Sequence, residues 1–229
     1  MAIARYLAMT ADEFADAPSI PERKAWMACH FSPYSTSLSN LPKNLPDNSL
    51  LILNDSTPPS GQAPEEIAKT LKNILAKHKC SALLIDFQRP DSTQSRAIVQ
   101  ELLTLDYSIC VSEMYSKGID CPVFLPPVPL TVPLSEYITP WRGRKIWLDM
   151  ALNSEQITVN ENGSTFHPLP AASDCVFEDK ELHCHYRIDK TEDAFIFTLQ
   201  RTKEDLEELL AEAETLGIVA AVGLYQELK

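Results

Sequence analysis

Asp86 and Gln88 stand two residues apart at the end of an apolar run, Leu83-Leu-Ile-Asp-Phe-Gln-Arg-Pro90. On a strand, residues i and i+2 share a face, so the run closes with a carboxylate and an amide side by side. A carboxylate can take or give a proton. An amide exchanges hydrogen bonds but has no proton to transfer at any working pH. The other apolar runs end in a similar way: one at His30, one at Asn54 and Asp55, one at Glu113 with Tyr115 just beyond, one at Asp149, and the last at Tyr225 and Glu227. Asp86, Gln88, Glu113 and Asp149 are the candidates for chemistry, with Glu113 and Asp149 available as an acid/base pair. His30, Asn54, Asp55, Tyr115, Trp147, Tyr225 and Glu227 are the candidates for ligand contact. Trp147 shares strand parity with Asp149, and its flat ring suits the apolar side of a sugar or, equally, a packed core. Any one polar group at a run end is also what results where a strand meets water. Six such ends together fit a cavity that grips a polyhydroxylated or charged ligand.

The elements that must position these groups alternate. Continuous apolar runs at Ala25–Phe31, Ser49–Leu53, Ser81–Phe87, Ser108–Ser112, Cys121–Leu125 and Lys145–Met150 read as buried strands. Between them, Ile67, Leu71, Ile74 and Leu75, then Ile98, Val99, Leu102 and Leu103, recur at helical spacing. Pro64 sits at a first-turn position with acids just after it. Residues 126–140 hold five prolines and read as an extended loop. Residues 155–167 read as a β-hairpin turning at Asn160-Glu-Asn-Gly163. His183–Ile188 and Ala194–Leu199 are two further strands, Lys203–Leu216 is a helix stopped by Gly217, and Ile218–Tyr225 is the last strand.

Alternating strands and helices imply parallel pairing with right-handed crossovers. About eight such strands predict an α/β fold, a short (β/α)8 TIM-like barrel occupying residues 1–229 as a single domain, with several outer helices missing or replaced by loops and β-hairpins. A doubly wound open sheet is the alternative. No G-x-G-x-x-G follows a strand, so no dinucleotide site, and no other cofactor, is expected. In a barrel, the strands' carboxyl ends are where chemistry sits.

The 83–90 run resembles the fourth-strand signature of the family 18 glycoside hydrolases, the chitinase-like barrels, written D-x-x-D-x-E and often continuing as I-D-W-E-Y-P. Asp86 matches the second Asp, Phe87 the aromatic, Gln88 the Glu and Pro90 the proline. Phe195–Tyr225 is similar to the family's seventh strand, helix and final strand, with Tyr225 where a Trp would stand, and Asp149 matches an acid of the sixth strand. The resemblance implies a small carbohydrate ligand. It also implies that the Glu of the motif is the general acid, while the adjacent Asp orients the substrate's own N-acetyl nucleophile. Here Leu83 occupies the first Asp's place and Gln88 the acid's, so the usual mechanism is lost. Either Glu113 and Asp149 have taken over as an active hydrolase's pair, or the barrel binds a sugar without cutting it, or it serves as a non-catalytic structural or partner-binding protein.

Composition narrows the partners. A net charge of −12 argues against nucleic acid and against an anionic membrane surface, and no run approaches the length of a membrane span. The first fourteen residues lack the apolar core of a signal peptide. Six scattered cysteines without a C-x-x-C read as reduced thiols of a cytoplasmic protein, three disulfides of an exported one being the alternative. His183 and His185 form an H-x-H that can hold zinc only with a third ligand, and the simpler reading is a polar strand face with no metal. Oligomeric state is left open.

Overall fold

The computed structural model describes residues 2–16, 20–170 and 174–229. In chain order the elements are β1 (Ala4–Met9), α1 (Ala11–Asp16), β2 (Arg23–Phe31), β3 (Leu38–Ser39), β4 (Leu50–Asn54), α2 (Pro64–Lys77), β5 (Ala82–Asp86), α3 (Thr93–Leu102), β6 (Ile109–Ser112), β7 (Val123–Leu125), α4 (Leu134–Tyr137), β8 (Ile146–Met150), β9 (Ser154–Asn160), β10 (Gly163–Pro168), β11 (Phe177–Asp179), β12 (Cys184–Lys190), β13 (Ala194–Gln200), α5 (Lys203–Thr215), β14 (Ala220–Leu224) and α6 (Tyr225–Leu228).

Eight of the strands run parallel in the order β1, β2, β4, β5, β6, β7, β8, β14, and β1 pairs with both β14 and β2, so the sheet closes on itself. The short (β/α)8 barrel read from the sequence is therefore the fold, and the open doubly wound sheet is not. Closure follows from the strand composition. Each strand is apolar on both faces because it must pack inward against the barrel axis and outward against helices. Tyr6, Ala8, Leu50, Ile52, Leu84, Cys110, Phe124, Trp147 and Val222 fill the interior. Leu51, Leu53, Leu83 and Ile85 face outward onto α2 and α3, and Leu148 and Met150 onto α5.

Outer helices are sparse. Only β3 and a loop join β2 to β4, a single 3-10 turn joins β6 to β7, and the proline-rich segment between β7 and β8 is an extended loop relieved by the four-residue α4 and another 3-10 turn. Where helices do form, they carry start signals. Pro64 opens α2, the Ser92 hydroxyl accepts the Ser95 N–H at 3.1 Å to cap α3, and Thr202 and Asp205 form a reciprocal capping box on α5.

Three sequence expectations change. The barrel begins with β1, a strand the reading omitted because Arg5 interrupts its short apolar run. The run counted third is thus the barrel's fourth strand, the position that its motif implied, and Asp149 lies on the seventh strand rather than the sixth. Ala194–Leu199 is not the seventh barrel strand. It belongs to β13, the centre of a separate five-stranded antiparallel sheet ordered β10-β9-β13-β12-β11 and inserted between β8 and α5. Its phenylalanines made it look like a parallel core strand, but its partners are the hairpin strands β9 and β12.

Candidate functional site

The inward parity of β5 accounts for Asp86 and Gln88. Leu84 is inside the barrel, so Asp86 and Gln88 point the same way one and two layers nearer the carboxyl end, while Leu83, Ile85 and Phe87 pack outside. Both polar groups line a cavity of about 780 Å³ at that end, a volume typical of small-ligand sites. His30, Asn54, Asp55, Arg89, Asp149 and Glu227 line it as well. Gln88 Nε2 donates to Asp86 Oδ1 at 2.5 Å. That bond engages one of the two amide N–H groups and orients the amide, so Gln88 can offer a ligand its carbonyl oxygen as acceptor and its second N–H as donor.

The electrostatics follow from burial. Asp149 points inward from β8 and is pushed up to about 7 by loss of water, then by the carboxylates of Asp86 and Glu227. Asp86 is also raised by burial. Its bond from Gln88 opposes the rise and the charge of Asp55 adds to it. At neutral pH the cavity therefore holds a carboxyl group that still carries its proton about half the time.

Several side chains shape the wall rather than reach into it. Asp55, buried, accepts the backbone N–H of Gln88 at 2.9 Å and of Arg89 at 3.0 Å, so both oxygens are engaged in holding the turn after β5. Arg89 folds back, Nε to Asp55 O and Nη2 to Ser56 O, each at 2.7 Å. Asn54 Nδ2 donates to Met27 O at 2.8 Å, across a register shift in β2 that lets Met27 and Ala28 bulge into the cavity lining. His30 donates from Nδ1 to Phe31 O at 2.7 Å, which leaves Nε2 to accept from Asn40 at 3.1 Å.

Glu113 lies beside the cavity, in a groove of about 450 Å³ whose wall Gln88, Phe124 and Asp149 share. Tyr137, from α4, stands close enough to Glu113 and Asp149 for both charges to raise its hydroxyl, already raised by burial; that hydroxyl donates to Pro126 O at 3.0 Å.

Three expected ligand contacts fall elsewhere. Tyr115 is buried outside the barrel, its ring edge-on to Phe87 and its hydroxyl donating to the Arg89 and Pro90 carbonyls. The 3-10 turn after β6 swings it outward. Trp147 does point inward but one layer too deep, stacked on Tyr6 with ring centroids 5.8 Å apart. Tyr225 starts α6 and packs with the outer core against α5, while Glu227, two residues on, turns into the cavity. Arg89, Asn40 and Tyr137 were not anticipated. Arg89 was legible as the base of the 83–90 run, but Asn40 sits on a loop and Tyr137 on the four-residue α4, with no pattern to flag either.

His183 and His185 hold the inserted sheet to α5: His183 Nε2 donates to Glu212 at 2.6 Å and His185 Nδ1 to Asp205 at 2.9 Å. Among the described residues no three side chains of metal-ligating type converge, all six cysteines are unpaired, and no helix is long and apolar enough to cross a membrane.

No family model and no curated protein sequence matches the chain. Solved structures do. A class V chitinase from Nicotiana tobaccum, a Glu-to-Gln mutant in complex with NAG4, superposes with a TM-score of 0.63 at 9% identity, over 98% of this chain and 94% of that one. The chitinase-like agglutinin of Robinia pseudoacacia gives 0.62 at 12% identity, over 98% and 95%. A family 18 N-acetylglucosaminidase from Paenibacillus barengoltzii gives 0.60 at 9%, over 99% and 97%. The fold is that of the chitinase-like glycoside hydrolases. In this chitinase-like barrel the end of the fourth strand carries an amide, Gln88, at the motif position that the resemblance gives to a glutamic acid.

Proposed function

We propose that this chain binds a carbohydrate in the cavity at the carboxyl end of its barrel and does not cleave it by the family's usual route. One observation carries the reading: Gln88, just past the fourth strand of a chitinase-like barrel, lines the cavity with one amide N–H given to Asp86. A protonated Glu in that place would donate to a glycosidic oxygen and drive its departure; the amide oxygen accepts from a hydroxyl instead. Asp149 supplies the complementary donor while protonated. The neighbours support the ligand class, one being captured with NAG4 while bearing a Glu-to-Gln change and another being named an agglutinin.

Titration calorimetry with N-acetylglucosamine oligomers tests the binding, alongside a thermal shift, since a ligand of the folded state raises the melting temperature by mass action. Gln88→Glu should create slow hydrolysis of those oligomers. Saturable binding without turnover in the wild type is the expected result. No binding of any soluble glycan would leave the structural or partner-binding reading instead.

Asp149 favours a second reading, in which an active hydrolase uses it as acid and Glu113 as base across the shared wall. It predicts turnover of a chromogenic glycoside by the wild type, abolished by Asp149→Asn or Glu113→Gln.

A further inference from the structure

The inserted sheet has one polar and one apolar face, and the outer half of its apolar face is bare among the described residues. The register defines the faces. Phe195 stands opposite Val159. Phe166, Ile157, Phe197 and Ile188 form one cross-strand row, and Leu199, Tyr186 and Phe177 another. The alternate rows, Thr165, Thr158, Ile196 and Asp189, then His167, Gln156, Thr198 and Arg187, are polar but for Ile196 and face the other way. Apolar-in, polar-out alternation of this kind belongs to an antiparallel sheet with one covered face. At its inner end the face is covered: Ile157, Leu199 and Cys184 pack on Leu130 of the loop after β7. Farther out, Phe166 is 58% exposed, Phe195 47%, Ile188 44% and Val159 38%, whereas Phe177 lies in the inner row on the edge strand β11, against Tyr186.

We propose that this outer half is a self-association surface, covered by the same face of a second copy of the chain. The area fits. With roughly 200 Å² for a whole Phe and somewhat less for Ile and Val, the four outer side chains expose about 350 Å² of apolar surface. A specific contact at the small end of the standard range covers about 600 Å² per partner, of which some 57%, or about 340 Å², is apolar. The charge pattern fits as well. On these rows the charged side chains are Lys190, whose ammonium sits 5.5 Å from the Phe195 ring centroid, and Glu155 at the inner end. The face therefore carries no surplus of one sign with which to select a basic or acidic partner, and apolar rows complement their own copy across a two-fold axis. β10 is exposed along its whole length at the sheet edge, so no neighbouring element blocks the approach.

Sedimentation velocity from about 1 to about 100 μM, at roughly 0.05 and 0.5 M salt, tests the proposal. The wild type should shift toward twice the monomer mass as concentration rises. It should do so more readily at high salt, because each copy carries a net charge of −12 and repels the other. Phe166→Asp and Phe195→Asp, both at exposed positions, should remain monomeric throughout, with unchanged circular dichroism. Ile188→Lys repeats the test on a neighbouring strand, and Thr165→Asp, on the polar face, should leave association intact. A wild type that stays monomeric at about 100 μM in both salts, or a dimer that survives all three apolar-face variants, overturns it.

Discussion

The Asp149→Asn variant reports directly on the electrostatics of the cavity. An ordinary Asp ionises at 3.8, whereas Asp149 is held at about 7 by burial and by Asp86 and Glu227. At ~1.4 kcal/mol per tenfold change, that gap is about 4 kcal/mol of ionisation cost carried by the folded state. Below about pH 4 the carboxyl is protonated in both folded and unfolded chains, and the cost is absent. Between about 4 and 7 the unfolded chain is ionised while the folded one is not, so stability falls as pH rises. Above about 7 the full cost is present. Asparagine has nearly the same shape and no such slope. The difference in unfolding free energy between variant and wild type should therefore be near zero at pH 4 and reach about 4 kcal/mol in the variant's favour at pH 8. That corresponds to roughly 10 °C in melting temperature for a chain of this size. Urea unfolding of both proteins across this range measures the difference, in which the titrating groups remote from Asp149 cancel. Asp86→Asn, which removes the larger of the two neighbouring charges, should lower the midpoint of the Asp149 titration, visible in carboxyl carbon NMR. A variant-minus-wild-type difference that is flat with pH would refute the assignment of the raised carboxyl to Asp149.

Other perturbations test the framework around the cavity. Asp55→Ala strips the acceptor from two part-buried backbone N–H groups and should cost about 1–3 kcal/mol by urea unfolding, with Asp55→Asn recovering only part. Arg201→Met removes a buried guanidinium that donates to the carbonyls of His183, Leu182 and Val128, and should destabilise by more than ~3 kcal/mol because all three acceptors lose their partner. Gly223→Ala places a Cβ 2.5 Å from Leu228 Cδ1 and 2.7 Å from Met150 O. It should cost about 1–3 kcal/mol in thermal unfolding and displace α6, which carries Glu227.

The barrel was legible because burial on both faces makes its strands continuously apolar. Ile52 and Leu53 need no partner in view to declare themselves. Pairing was less legible. Phe195, Ile196 and Phe197 read as another such strand, because composition does not record that their neighbours are β9 and β12 rather than the barrel. The site divided along the same line. Asp86 and Asp149, which parity turns toward the barrel interior, line one cavity, since alternation is a property of the strand itself, and Gln88, two residues past the end of β5, lines it too. Beyond the strand, parity is no guide. Tyr115 leaves with a 3-10 turn, Tyr225 with a helix, and only the turn of α6 brings Glu227 back. Asp55 shows a third limit. It lines the cavity, but its two oxygens serve backbone N–H groups, a use that no side-chain pattern reveals.

The exchange of an acid for an amide at residue 88 changes which proton matters. With Gln88 unable to give one, Asp149, held at about 7, is able to donate near neutral pH, while Asp86 is raised by burial against the opposing bond from the Gln88 amide. A neutral polyhydroxylated ligand would then meet an acceptor at Gln88, an acceptor at Asp86 and, below about pH 7, a donor at Asp149. Affinity should accordingly fall as pH rises through about 7, because ionised Asp149 loses its donor and becomes a third acceptor crowded by two carboxylates. In Asp149→Asn the donor is permanent, and binding should become independent of pH across the same range. If the barrel instead worked as a hydrolase with Asp149 as its acid, that substitution would abolish turnover while sparing binding. Turnover measured beside affinity in the two proteins therefore separates a site built to hold a sugar from one built to cut it.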